Sequence, residues 1–127
     1  MMKAIRTTLT AVLLTLASAN VLAIGMKSTS DIKEAIDQTI SYLEKAESAF
    51  NQGETQQAVE MLMEAKQVQK SISSSNGQLS KIKAKATHKL GEARSRFNEG
   101  DTTNGGAAMK EALAGFKELK EKYHAMH

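Results

Sequence analysis

The sequence predicts an all-α fold, an up-down-up-down four-helix bundle made of two similar helical hairpins. Composition is the first reason. The 127 residues include no Pro, Cys or Trp and only two Tyr and three Phe. With no proline and few aromatics a β-sandwich or barrel is hard to build, while Ala, Glu, Lys, Leu and Gln favour helix. The second reason is an internal repeat. LEKAESAFNQG from Leu43 to Gly53 aligns with LGEARSRFNEG from Leu90 to Gly100, and Leu, Ala, Ser, Phe, Asn and Gly recur 47 residues apart. Glu64-Ala65 and Glu111-Ala112 keep that offset, so the repeating unit is a whole hairpin. Apolar residues at three- and four-residue steps in all four segments are the third.

Residues 1–23 read as an address. Lys3 and Arg6 precede an apolar run from Thr7 to Leu16, and Val21-Leu22-Ala23 is an A-x-A-like exit. This is the pattern of a secretory signal peptide cut after Ala23, with Ala19 as second choice. The run is short for a membrane span and no second one follows. The expected product, residues 24–127, is periplasmic or secreted, with no membrane attachment after cleavage. It carries 15 Lys+Arg against 14 Asp+Glu, so bulk attraction to nucleic acid is not expected. A monomer with a modest core is expected of this length.

Hairpin one spans about 30–73. Its first helix is predicted to start at Ser30 or Asp31, with Asp31 and Glu34 in capping-box spacing. Ile32, Ile36, Ile40, Leu43, Ala46 and Phe50 form its stripe, and Gly53 stands where a C-terminal cap is expected. The second helix carries Ala58, Leu62, Ala65, Val68 and Ile72, and Ser73 to Gly77 is a break. Hairpin two spans about 78–127. Leu79, Ile82, Ala86, Leu90, Ala93 and Phe97 mark the third helix, and a loop is predicted from Asn98 to Gly106. Met109, Ala112, Leu113, Phe116, Leu119 and Tyr123 mark the fourth. The equivalence of Phe50 and Phe97 predicts two aromatic plugs at one end of the bundle.

Charge divides unevenly. Residues 31–72 hold four Lys against eight acids; residues 79–97 hold six Lys and Arg against Glu92 alone. This predicts mutual attraction of the hairpins, or a protein or other anionic partner on the basic third helix. No aromatics interleave the basic residues, which removes base stacking from consideration.

Chemistry is sparsely supported. Without cysteine there is no thiolate nucleophile, disulfide, iron–sulfur cluster or Cys-based zinc site. Asp37, Glu44, Glu47, Glu60 and Glu64 read as a solvated face, no Glu-x-x-His pair exists, and Ser73 to Ser75 stand in a linker. No enzyme is expected. His88 reads as a surface histidine. The closing HAMH is different: His124 and His127 lie one helical turn apart, so both imidazoles can face one point. Met126 adds a thioether and the terminal carboxylate lies alongside. Imidazole with thioether suits copper, and two imidazoles with carboxylate suit Cu(II), Ni(II) or Zn(II).

LEKAESAFNQGETQQAVEMLMEAKQ, LGEARSRFNEGD and the closing HAMH, taken with the export signal, resemble the small metal-binding protein family of bacterial periplasms. The resemblance runs from about Ser30 to His127. It implies a compact four-helix bundle that sequesters or buffers a divalent metal or copper, with His124 and His127 matching the family's closing His-x-x-His. Other family histidines fall near Tyr42, Ala49, Glu54, Lys89, Arg96 and Asp101, none of which is His here. A second resemblance, to soluble b-type cytochromes, implies haem held by Met26 and His124. The spacing of Gly53, Ala58, Leu62 and Ala65 is similar to a tetratricopeptide hairpin and implies a structural or protein-interaction module.

Overall fold

A computed structural model describes residues 28–127, so the expected leader and Met26 lie outside the described residues. Four helices follow in order: α1 (Thr29–Asn51), α2 (Thr55–Gln69), α3 (Gly77–Asn98) and α4 (Thr102–Met126), with no strand among the described residues. Each packs on its chain neighbour and α1 also packs on α4, closing the up-down-up-down square. None of these helices is long and apolar enough to cross a membrane.

The first helix starts slightly earlier than the sequence predicts. Ser28 is the cap, its hydroxyl accepting from the Asp31 amide at 3.2 Å while the Ser28 amide donates to the Asp31 carboxylate at 3.2 Å. Asp31 thus fills the third position of a reciprocal box instead of leading one. Its carboxylate at the amide end also complements the helix dipole.

Both hairpin turns are built alike. Gly53 and Gly100 have φ of 82° and 83°, a region that costs side-chain-bearing residues energy. The Glu54 amide donates to Ala49 O at 2.8 Å and the Gly53 amide to Phe50 O at 3.0 Å; Asp101 to Arg96 O at 2.9 Å and Gly100 to Phe97 O at 3.0 Å repeat this 47 residues later. These are Schellman closures, which satisfy the last carbonyls of α1 and α3.

The loop predicted over Asn98–Gly106 is much shorter, only residues 99–101. Asp101 caps α4, accepting from the Asn104 amide at 3.1 Å and the Asn104 side-chain amide at 2.7 Å. These two bonds, the side-chain one foremost, lower the Asp101 pKa. Gly105 and Gly106 belong to the helix and are buried. Added methyls there would stand 3.0 Å from the Phe97 ring and 2.9 Å from the Phe50 ring. The two rings pack together, centroids 5.4 Å apart and tilted by 57°, an edge-to-face geometry. The expected aromatic plugs are therefore one tilted pair seated on two glycines.

Ile36, Leu43, Leu62, Leu79, Leu90, Met109, Phe116 and Leu119 are fully buried and fill the centre. The α3–α4 seam is lined with small side chains, and Gly115 lies against Ala86. Two ion pairs cross between the hairpins, Lys117–Glu44 at 3.5 Å and Lys120–Asp37 at 3.0 Å. Being exposed, each adds only about 0–1 kcal/mol. They join α4 to α1, so these pairs come from the acids of hairpin one and α4 lysines, not from the basic α3. Lys89 of α3 instead bridges Glu111 at 2.9 Å and Glu92 at 3.4 Å within its own hairpin. Glu111 before Glu92 holds the Lys89 pKa up.

Candidate functional site

The topology sorts the bundle into two unlike ends. The paired phenyl rings of Phe50 and Phe97 close one. At the other meet the start of α1, the end of α2, the start of α3 and the end of α4, and every candidate tail residue is there.

His124, Met126 and His127 are all exposed at the last turn of α4. Tyr123, only 3% exposed, anchors that turn in the core. The His127 ring lies on the Tyr123 ring, centroids 4.3 Å apart and tilted by 31°. The turn is thus fixed by packing through its second-last helical register, and His127 has a defined resting place. His124 stands on the same turn, with Met126 at 44% exposure between them in sequence. The carbonyl end of a helix favours cations. Two imidazoles and a thioether there fit a borderline-soft metal ion. Among the described residues no group of three or more His, Asp or Glu is gathered as a cage.

Other candidates fall elsewhere. His88 is exposed on α3. The register of α3 on α4, in which Ala86 meets Gly115 and Lys89 meets Glu111, places His88 several turns from the tail. Tyr42, one of the positions where the resembled family carries histidine, is half-buried; burial first and Glu64 second raise its phenol pKa. Lys45 Nζ stands 5.5 Å from the same ring. For haem, the structure describes only one of the two proposed ligands, and His124 is exposed.

At this end α2 stops earlier than its apolar stripe predicts. Ile72, expected on the second helix, is buried at 2% exposure but lies in the connection, because α2 stops at Gln69. With 15 residues against 23 in α1, α2 is about 12 Å shorter. Residues 70–76 run on in its place, held by the Lys83 ammonium, which donates to the Ile72 carbonyl. Beneath them opens a groove of about 710 Å³ between the connection, α3 and α4. At its inner end Gln69, 5% exposed, donates to Lys66 O at 3.0 Å and accepts from the Thr87 hydroxyl at 3.0 Å. This buried polar link fixes α2 to α3. Gln69 at a stripe position, just before a serine-rich break, was the available signal.

Comparison with protein-family models, curated proteins and solved structures gives no match for this chain.

Proposed function

We propose that this protein is an exported, non-enzymatic metal-binding bundle that sequesters or buffers copper or a divalent metal on the last turn of α4. The supporting observation is the placement of His124 and His127, exposed one turn apart at the carbonyl end of a helix that Tyr123 anchors. His124 and His127 are the imidazole donors, and Met126 is the soft donor that favours Cu(I). The fold is the one the family resemblance implies, which adds to the reading. Sequestration follows from accessibility: the ligands stand at the surface, where a metal can be taken up and released.

The chain has no tryptophan and only two tyrosines, which makes Tyr123 a reporter. In a Tyr42→Phe background, Cu(II) bound at the tail quenches Tyr123 emission. Calorimetric titration of residues 24–127 with Cu(II), Ni(II) and Zn(II), and with Cu(I) under reducing conditions, should show micromolar or tighter binding near one equivalent. His124→Ala/His127→Ala should remove both the heat and the quenching. Equal binding by the double variant refutes the proposal.

A second reading is favoured by Lys81 and Lys85, which are exposed on α3. Neither makes an ion pair among the described residues, whereas Lys89 is engaged by Glu111. In this reading the α3 face captures an acidic protein partner. Lys81→Glu/Lys85→Glu should abolish capture and leave metal affinity unchanged; unaltered capture rules it out.

A further inference from the structure

The chain has two Asn-Gly pairs, Asn76-Gly77 and Asn104-Gly105, and the fold treats them differently. Such a pair is chemically labile. The nitrogen of the second residue can attack the side-chain carbonyl of the first, and a glycine, with no Cβ, lets the two approach.

Asn104-Gly105 is locked. Gly105 is buried, and its amide donates to Asp101 O at 2.9 Å. The Phe97 ring fills the space beside it. The Asp101 carboxylate holds both the Asn104 amide and the Asn104 side chain. Bringing Asn104 Cγ to the Gly105 nitrogen would mean opening the start of α4 together with the end of the bundle where the two rings sit.

Asn76-Gly77 is exposed. Gly77 is the first residue of α3, so its amide has no partner within the helix. Two bonds tie Asn76 to the first turn: the Leu79 amide donates to Asn76 Oδ1 at 3.1 Å and the Ser80 amide to Asn76 O at 3.0 Å. With the cap in place the Asn76 ψ of 125° turns the Gly77 nitrogen away from Cγ. Helix ends open at much lower free energy than core segments, and fraying of this one turn frees both the torsion and the side chain.

We propose that Asn76 is a site of spontaneous deamidation, and that folding confines the reaction to it by shielding Asn104. The Gly77 nitrogen bonds to Asn76 Cγ while the Cγ–Nδ2 bond breaks. The amide proton leaves with the side-chain nitrogen as ammonia, and a succinimide ring joins the two residues. Water then opens either C–N bond of the ring. Opening at Cγ gives aspartate in a normal chain. Opening at the main-chain carbonyl carbon gives isoaspartate, with the chain running through the former side chain. Aspartate caps a helix as well as asparagine, and its charge suits the amide end of α3. The isoaspartyl backbone is longer by a methylene and loses the register of the Leu79 and Ser80 bonds, so the first turn of α3 opens. This goes beyond the metal reading and involves none of its ligands.

The test ages the purified full chain in warm, mildly alkaline buffer, folded and in urea, and follows its tryptic peptides by mass. Lys70 and Lys81 bracket Asn76, while Arg96 and Lys110 bracket Asn104; fragment masses separate Asn76 from Gln78. In urea the two pairs should convert at similar rates. In the folded protein Asn76 should convert at least about tenfold faster than Asn104. A methyl added at Gly77 meets nothing within 4 Å, so Gly77→Ala should fold as the parent does and convert at least about fivefold more slowly. The aspartyl fraction should melt with the Asn76→Asp variant, and the isoaspartyl fraction below both. Equal rates at the two sites in the folded protein, an intact Asn76 after the urea sample has converted, or parent-rate ageing of Gly77→Ala overturns the proposal.

Discussion

Gly115 lies tight against Ala86 of α3, and replacing it with alanine sets two effects of opposite sign against each other. In an open helix Gly→Ala adds up to about 1 kcal/mol of stability. Here the new methyl would stand 2.8 Å from Ala86 Cβ and 3.3 Å from Ala86 Cα, well inside the roughly 3.5–4.0 Å of carbon contacts. Ala86 is 1% exposed and has no torsion to turn, so the helices themselves must separate. Overpacking of this kind costs about 1–3 kcal/mol, leaving Gly115→Ala less stable by up to about 2 kcal/mol. At about 4–8 °C per kcal/mol for a domain of this size, Tm should fall, by up to roughly 15 °C, in thermal melts followed by circular dichroism. The swap Ala86→Gly/Gly115→Ala returns the methyl count of the seam and the Gly and Ala content of the two helices. It should recover to within about 1 kcal/mol of the parent, a coupling expected only of touching residues. A Gly115→Ala protein that melts higher than the parent, or a swap no better than the single change, refutes the reasoning.

Other glycines should behave in opposite ways. Gly91 lies inside α3 with open space around it, so Gly91→Ala should raise stability by about 0.5–1 kcal/mol in urea melts. Gly53→Ala and Gly100→Ala force positive φ on alanine and should each lose about 1–2 kcal/mol. Thr87→Val keeps the shape but strands the Gln69 carbonyl oxygen, and should cost about 1–3 kcal/mol by the same assay. Asp101 has a lowered pKa in the folded chain, so its contribution is complete above the ordinary aspartate value of 3.8 and is lost as pH falls through the lowered one. Asp101→Asn keeps the cap but should flatten that part of the acid limb of stability against pH; an unchanged acid limb counts against the cap as its source.

The 47-residue repeat made the architecture legible because local chemistry repeats with it. Gly53 and Gly100 adopt the same left-handed turn, and each follows a phenylalanine whose carbonyl that turn caps. The apolar stripes were equally plain, since Leu43, Leu62, Leu90 and Phe116 sit at helical spacing and are buried. Less legible was the second turn. Asn98 to Gly106 is rich in turn formers, yet Gly105 and Gly106 are helical because the Phe97 and Phe50 rings occupy the space where their side chains would be. Nothing local in Gly105-Gly106 distinguishes a loop from a seat for a ring. The tail residues stood out as a motif, but the resting place of His127 on Tyr123 is a contact that spacing alone does not specify.

By itself, then, the sequence determined helix number, hairpin duplication, the two glycine turns and the core faces, all consequences of short-range propensity and periodicity. Tertiary structure decided which seam the ion pairs cross, how closely α3 approaches α4, and where α2 stops. That last point depends on Gln69 bonding Thr87 and on Lys83 holding the Ile72 carbonyl, partners 18 and 11 residues away in the chain. The groove is set by those contacts together. A cavity belongs to several elements at once, and no single stretch of chain encodes it.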